Sequence, residues 1–322
     1  ERFAAVRGIK FARNYGKSAA FEKVKTNYIV AVATRADCRH QGMMRSLLQA
    51  SLQEMYRRKE TFTWLMPAAE AIYRPFGFRF IYEKNKMTVT ADVLRRAETD
   101  EKWQIHSDQE VSGDIFCEEA KKEDLAELAC FAEKQLSKLA EVYTVHDIAY
   151  FEQRMQEVGC EGGSLILIRK EKEICGYFLA LKKDREAWEI VVEDAVQKKA
   201  FPAVLHWFGA SEEKCTFTAF PQIWEQYAQS ENVPAIMGRI VHLERFVCCL
   251  KIKKEQEWKI RLTDSLVPEN NGYFIIKTGI EGGSLIRVEN LSEKEKKMFC
   301  SMDIGQLTEE LFRLPVFLNE VV

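Results

Sequence analysis

The period of the hydrophobic positions changes at Met43. Before it, Tyr28 to Ala33 is a short, continuous apolar run, which predicts a strand buried on both faces. Phe21 to Lys25 alternates and predicts its hairpin partner. A polar loop, Thr34 to Gln41, leads to Gly42. After it, Met44, Leu48, Leu52 and Met55 or Tyr56 fall on one stripe with Leu47 beside it, as in a helix. Arg57, Arg58 and Lys59 close that helix, where cations suit its negative end. A strand, loop and helix in this order expose the free N–H groups of a first helical turn. Such a site favours an anion, phosphate above all. Gly42 removes the Cβ that would obstruct its approach.

The pattern continues downstream. Phe62 to Met66 predicts the next parallel strand of a βαβ unit, Glu70 to Phe76 a short helix and Phe78 to Tyr82 a closing strand. Ala91 to Gly113 is mixed and charged, as in a linker. Glu123 to Tyr143 and Asp147 to Val158 are amphipathic helices. Strands follow at Ser164–Arg169, Ile174–Lys182 and Trp188–Val192, then a helix at Pro202–Phe208 and a strand at Cys215–Ala219. The last third reads as α+β. It has strands at Met237–Val241, Trp258–Thr263, Gly272–Thr278 and Leu285–Val288, and helices at Leu243–Leu250, Ser292–Phe299 and Ile304–Phe312. Glu161-Gly-Gly-Ser-Leu-Ile166 recurs as Glu281-Gly-Gly-Ser-Leu-Ile286, but the flanks differ, so these are similar turn-to-strand entries and not a repeat.

Bulk properties narrow the class. At 322 residues, 47% hydrophobic and 30% charged, the chain has ordinary globular composition and room for two or three domains. A net charge of −2 gives no sign of a nucleic-acid binder. No apolar run spans a bilayer, and no signal peptide is expected, so neither a nucleic-acid nor a membrane partner is indicated. The nine cysteines are scattered, as reduced cytoplasmic thiols are. The five histidines form no ligand spacing, so no metal is expected.

Arg39-His40-Gln41-Gly42-Met43-Met44 after an apolar strand resembles the Arg/Gln-x-x-Gly-x-Gly/Ala acetyl-coenzyme A signature of the GCN5-related N-acetyltransferases (GNAT), with Met44 in place of the usual small residue. That departure and the downstream Ala-Ile-Tyr73-Arg-Pro-Phe-Gly-Phe are similar to the enhanced-intracellular-survival (Eis) type. The resemblance implies a mixed α/β, α+β fold in three parts. They are a GNAT domain with the acetyl-CoA site at 1–112, a second GNAT-like domain without a cofactor site at 113–230, and a sterol-carrier-protein-like domain at 231–322. No Arg-x-x-Gly-x-Gly/Ala follows Trp188–Val192, in keeping with a silent second copy. About thirty residues precede Tyr28, a short opening for this type, so one wall of the substrate pocket is expected to be missing or diverged.

Cofactor contacts are expected from the backbone of Arg39, His40, Gln41, Gly42, Met43 and Met44, with Ala31, Val32 and Ala33 pairing to the pantetheine arm as a strand would. His40 itself reads as a solvated loop residue. A leaving thiolate needs a proton, and a phenol with pKa near 10 can donate one at neutral pH. The family places its acid at the position of Tyr73, where plain core packing is the alternative. The C-terminal Pro315-Val-Phe-Leu-Asn-Glu-Val-Val322 is apolar for a tail. Its Val322 carboxylate is the expected base, simple docking being the alternative, and Glu320 is the side-chain candidate for attracting a cationic substrate. The resulting expectation is an acetyl-CoA-dependent N-acetyltransferase acting on an aminoglycoside-like amine, assembled as a hexamer by resemblance. The rival is a non-catalytic carrier or regulatory protein using the sterol-carrier-like domain.

Overall fold

The computed structural model describes residues 4–11, 22–90, 92–93, 115–209, 214–250, 255–279, 282–313 and 315–318. In chain order its strands are β1 Ala4–Phe11, β2 Glu22–Ile29, β3 Phe62–Leu65, β4 Arg79–Val89, β5 Ile115–Glu119, β6 Val142–Thr144, β7 Ser164–Lys170 and β8 Glu173–Leu181. They continue as β9 Glu186–Val192, β10 Cys215–Thr218, β11 Ser230–Ile240, β12 Gln256–Thr263, β13 Gly272–Gly279, β14 Gly282–Val288, β15 Cys300–Asp303 and β16 Val316–Phe317. The helices are α1 Met43–Arg57, α2 Glu70–Tyr73, α3 Leu125–Leu139, α4 Ile148–Cys160, α5 Gln197–Trp207, α6 Leu243–Cys249, α7 Glu293–Lys296 and α8 Ile304–Leu311. This is the mixed α/β class that the resemblance implies.

The chain divides into two compact units, one from Glu1–Tyr82, Leu139–Val145 and Ala235–Leu318, the other from Glu83–Lys138 and His146–Pro234. In the first unit the strands run β16-β6-β1-β2-β3-β11-β4, and a separate sheet runs β14-β13-β12-β15. β2 is antiparallel to β1 along its whole length, Ala4 facing Ile29. It is parallel to β3 only at Asn27–Thr63 and Tyr28–Trp64. The expected hairpin of Phe21–Lys25 with Tyr28–Ala33 is therefore corrected: Glu22–Ile29 is one strand. Buried polar side chains had disguised it. Thr26 accepts a hydrogen bond from Trp64 Nε1 at 3.1 Å, and Asn27 donates to Glu60 at 2.6 Å, so a turn-like Lys-Thr-Asn sits mid-strand.

The α1 stripe packs as its period dictates. Leu48, Leu52 and Met55 are buried with Ile29, Leu65, Phe78, Met237 and Val241. Residues from the last third share the second core of this unit: Phe246, Ile260, Phe274, Leu307 and Leu318 cluster with Tyr28, Phe62 and Trp64. The tail is packed as far as Leu318, which is fully buried.

In the second unit the order is β4-β10-β9-β8-β7-β5, with β10 parallel to β9 and β9, β8 and β7 antiparallel. Its core holds Ile166, Phe178, Phe201, Phe217 and Trp224. The helix expected to start at Pro202 starts five residues earlier, at Gln197, with the proline inside it. Residues 94–114, most of the expected linker, lie outside the described residues.

Candidate active site

β2 stops at Ile29, not at Ala33, because Ala31 takes the left-handed conformation with φ 56°. A non-glycine residue pays for that geometry, roughly 1–3 kcal/mol. Ala31–Ala33 have no strand partner among the described residues. The backbone there is open to pair with something else.

α1 begins with Gly42 at φ 77° and no side-chain cap. An added Cβ at Gly42 would meet nothing within 4 Å, so the glycine is required by its dihedral and leaves open space in front of the helix. The N–H groups of the first turn lie at that space, with no side-chain cap at Gly42 and the helix's positive end behind them. The loop holds its shape by local bonds. Gln41 Nε2 donates to the Asp37 carbonyl at 3.0 Å, and Arg35 pairs with Asp37 at 2.6 Å. Arg39, His40, Gln41, Gly42 and Met43 are exposed, and His40 has φ 62°.

Tyr73 ends α2 and is buried with Ile29, Leu48 and Leu52, with Val32 and Met44 packed against the same cluster. The fold thus brings Val32, Met44 and Tyr73 together, while Ala31, Ala33 and Arg39–Met43 form an exposed rim. The Tyr73 ring meets Phe78 edge-on at 6.0 Å. Burial raises its phenol above the ordinary value, and its hydroxyl has no hydrogen-bond partner among the described residues. It is a neutral donor at physiological pH. Glu320 and Val322 lie outside the described residues.

One feature had no signal in the sequence. After Tyr73 the chain makes a 3-10 turn, Arg74–Phe76, ending at Gly77 with φ 83°. Arg239, fully buried, donates from Nε to the Phe76 carbonyl at 2.8 Å and from Nη2 to Asp264 at 2.6 Å. Asp264 in turn accepts from the N–H groups of Leu266 and Val267, both at 3.0 Å. A Cβ at Gly77 would stand 3.1 Å from Arg239 Nε and 2.8 Å from Ile304. The glycine of Tyr-x-x-Phe-Gly-Phe is thus where this strut enters. Its partners are far apart in sequence, and nothing in their spacing announces them.

The second unit has a passage of the same kind. Glu189 in β9 also has positive φ, 55°, beside a register shift in β8 at Tyr177–Leu179. Here the carboxylate is buried and accepts from Tyr150 OH at 2.9 Å and Tyr177 OH at 3.3 Å, with His146 Nε2 at 2.7 Å. Burial pushes the carboxyl up, but His146, Arg154 and Tyr150 outweigh it and hold Glu189 below its usual value. The turn into α5 carries Glu193 and Asp194 and no left-handed glycine; Gln197 Nε2 donates to Asp194 at 2.9 Å.

Among the described residues no group of three side chains is placed to hold a metal, and no helix is long and apolar enough to cross a membrane.

Comparison with known proteins bears on the domain and the fold. Residues 20–81 match the acetyltransferase (GNAT) domain family, a stretch that contains β2, the Gly42 loop, α1 and Tyr73. The whole chain is similar in fold to a GCN5-related N-acetyltransferase from Anabaena variabilis (TM-score 0.70, 16% identity, 96% of this chain and 76% of that one). It is also similar to Eis1 from Mycobacterium abscessus (0.66, 13%, 96% and 77%) and to a GCN5-related N-acetyltransferase from Kribbella flavida (0.64, 15%, 90% and 71%). No curated protein sequence matches the chain. The fold is that of the GNAT acetyltransferases. The chain is an acyltransferase, with its GNAT domain at residues 20–81.

Proposed function

We propose that the chain is an Eis-type N-acetyltransferase that moves the acetyl group of acetyl-CoA to a primary amine of a small cationic molecule, aminoglycoside-like in its charge. The observation that carries this is the uncapped, glycine-entered N-terminus of α1, next to unpaired Ala31–Ala33, with Tyr73 in the same cluster as Val32 and Met44. These residues fit the ligand's chemistry. The first turn of α1 suits a pyrophosphate, and free backbone at Ala31–Ala33 suits an amide-bearing arm.

Acetyl-CoA supplies the acyl group as a thioester. Backbone donors at the end of β2 hold the acyl oxygen as it gains charge. The amine nitrogen bonds to the acyl carbon, and the carbon–sulfur bond breaks with its electron pair on sulfur. Tyr73 gives its hydroxyl proton to that sulfur, and the Val322 carboxylate takes the proton of the amine. Glu320 adds negative charge for a cationic substrate. In this reading 1–112 carries the site, 113–230 is a silent GNAT-like domain and 231–322 is sterol-carrier-protein-like. The same resemblance carries the expectation of a cytoplasmic homo-oligomer, a hexamer.

The test is acetyl transfer to a panel of amines with mass detection, using a chain that ends at Val322 and one extended by a single glycine. The extension moves the terminal carboxylate by about 3.5 Å. General-base catalysis contributes ~10²–10⁴-fold, so turnover should fall in that range with acetyl-CoA still bound. Near-normal turnover would remove Val322 from the mechanism, and no transfer to any amine by the unextended chain would remove the reaction.

A further inference from the structure

A cavity of about 510 Å³ lies within the first unit, beside the turn that follows Tyr73. Arg74, Arg79, Arg239, Ser265, Asn271 and Asp303 are among its walls. Arg239 is committed to Asp264 and Phe76. Arg79 is not so well matched. It is more than nine-tenths buried, and its Nη1 donates to the carbonyls of Arg74 and Phe78 at 3.1 and 2.8 Å. Its two acidic neighbours stand off: Asp303 is 3.5 Å from Nη2 and Glu309 is 4.0 Å from Nε, and both are half-exposed. Arg79 Nε is sealed from solvent and has no hydrogen-bond partner among the described residues, which leaves the guanidinium under-bonded.

The backbone makes the imbalance worse. A Cβ at Gly305 would stand 2.5 Å from Arg79 Cζ, so the guanidinium lies against the first turn of α8. That is the positive end of the helix, where a cation is disfavoured and an anion favoured. Asp303 already caps this turn, accepting from the Gln306 N–H at 2.8 Å, so its carboxylate is shared between the helix end and Arg79. Ser265 and Asn271 also line the cavity, and the Asn271 side-chain oxygen accepts from Asp264 N.

We propose that this cavity binds a small dianion, a dicarboxylate or a phosphate, with Arg79 as the principal charge and Ser265 and Asn271 as orienting donors. Charge-assisted bonds to a planar guanidinium are the strong class of hydrogen bond. The space exceeds a single carboxylate or phosphate group, so it admits a molecule of several heavy atoms. An occupant would join the turn after Tyr73 to the start of α8. The assignment stands on the cavity alone and does not depend on the acetyl-transfer reading.

Titration calorimetry on the full chain with succinate in one arm and inorganic phosphate in the other tests it. Saturable binding in either arm is expected, and the stronger arm identifies the anion. Arg79→Gln should weaken it at least about tenfold. Ser265→Val, at an exposed position, should weaken it about fivefold, the worth of one hydrogen bond. It serves as the deciding variant if Arg79→Gln does not fold. No heat of binding in either arm, or affinity unchanged in the folded variants, overturns the proposal.

Discussion

Two strand-to-helix passages in this chain share a backbone anomaly and differ in what fills it. At Ala31 and at Glu189 a non-glycine residue takes positive φ, and each strand then leads toward a helix. After Ala31 the backbone is open, the loop is exposed, and α1 starts on a left-handed glycine with no side-chain cap. After Glu189 the turn into α5 carries two carboxylates and Gln197 closes on Asp194. The strained residue itself also supplies a buried anion, ringed by His146, Tyr150 and Tyr177. The first passage leaves its helix entrance without a side-chain cap, whereas the second places carboxylates at its own entrance.

The contrast can be broken at its centre first. Tyr73→Phe keeps the ring packing and removes only the hydroxyl that donates the proton. Turnover should fall ~10²–10⁴-fold while acetyl-CoA affinity stays unchanged, measured by steady-state kinetics and calorimetry. Because burial raises the Tyr73 phenol above its ordinary value near 10, loss of its proton should not limit turnover below about pH 10. A decline attributable to Tyr73 near neutrality would contradict its assignment as the acid.

On the other side, Glu189→Gln leaves its cluster without an anion. Removing one partner from a buried charged network costs about 3 kcal/mol or more, to be read from denaturant unfolding. Glu189 is held below its ordinary value when folded, so its contribution is present above the unfolded-state pKa near 4.3. It is lost as pH falls through the lower folded value. The destabilisation by Glu189→Gln should therefore shrink on acidification below about pH 4. A difference that stays constant down to pH 2 would mean the carboxylate is not stabilised there.

The helix entrances give the smaller effects. Gly42→Val should weaken acetyl-CoA binding by at least about tenfold, 1.4 kcal/mol, through strain at φ 77° and obstruction of the pyrophosphate. Asp194→Ala, at the other entrance, should leave that affinity unchanged. An equal loss from both would erase the distinction between the passages.

Much of the first passage is written in the sequence, because it depends on spacing. The period of Leu48, Leu52 and Met55 fixes the face of α1, and the left-handed position at Gly42 needs the residue that is visibly there. Ala31 gives no such notice: alanine seldom takes positive φ, so an apolar run looked like unbroken strand. Thr26 and Asn27 hid the middle of β2 because their polar groups are satisfied only by Trp64 and Glu60, distant in sequence. Glu189 lies inside the strand expected at Trp188–Val192, between Trp188 and Ile190, and nothing local marks it as buried. Only the fold reveals that His146, 43 positions away, turns it inward. The Arg239–Asp264 strut escaped for the same reason.

The passage at Gly42 is expected to bind acetyl-CoA and the passage at Glu189 is not. Calorimetric titration of the full chain with acetyl-CoA measures this directly, with Gly42→Val as the paired sample. The account predicts one equivalent per chain, with binding weakened at least about tenfold in the variant. Two equivalents per chain, or one equivalent that Gly42→Val leaves untouched, would contradict it.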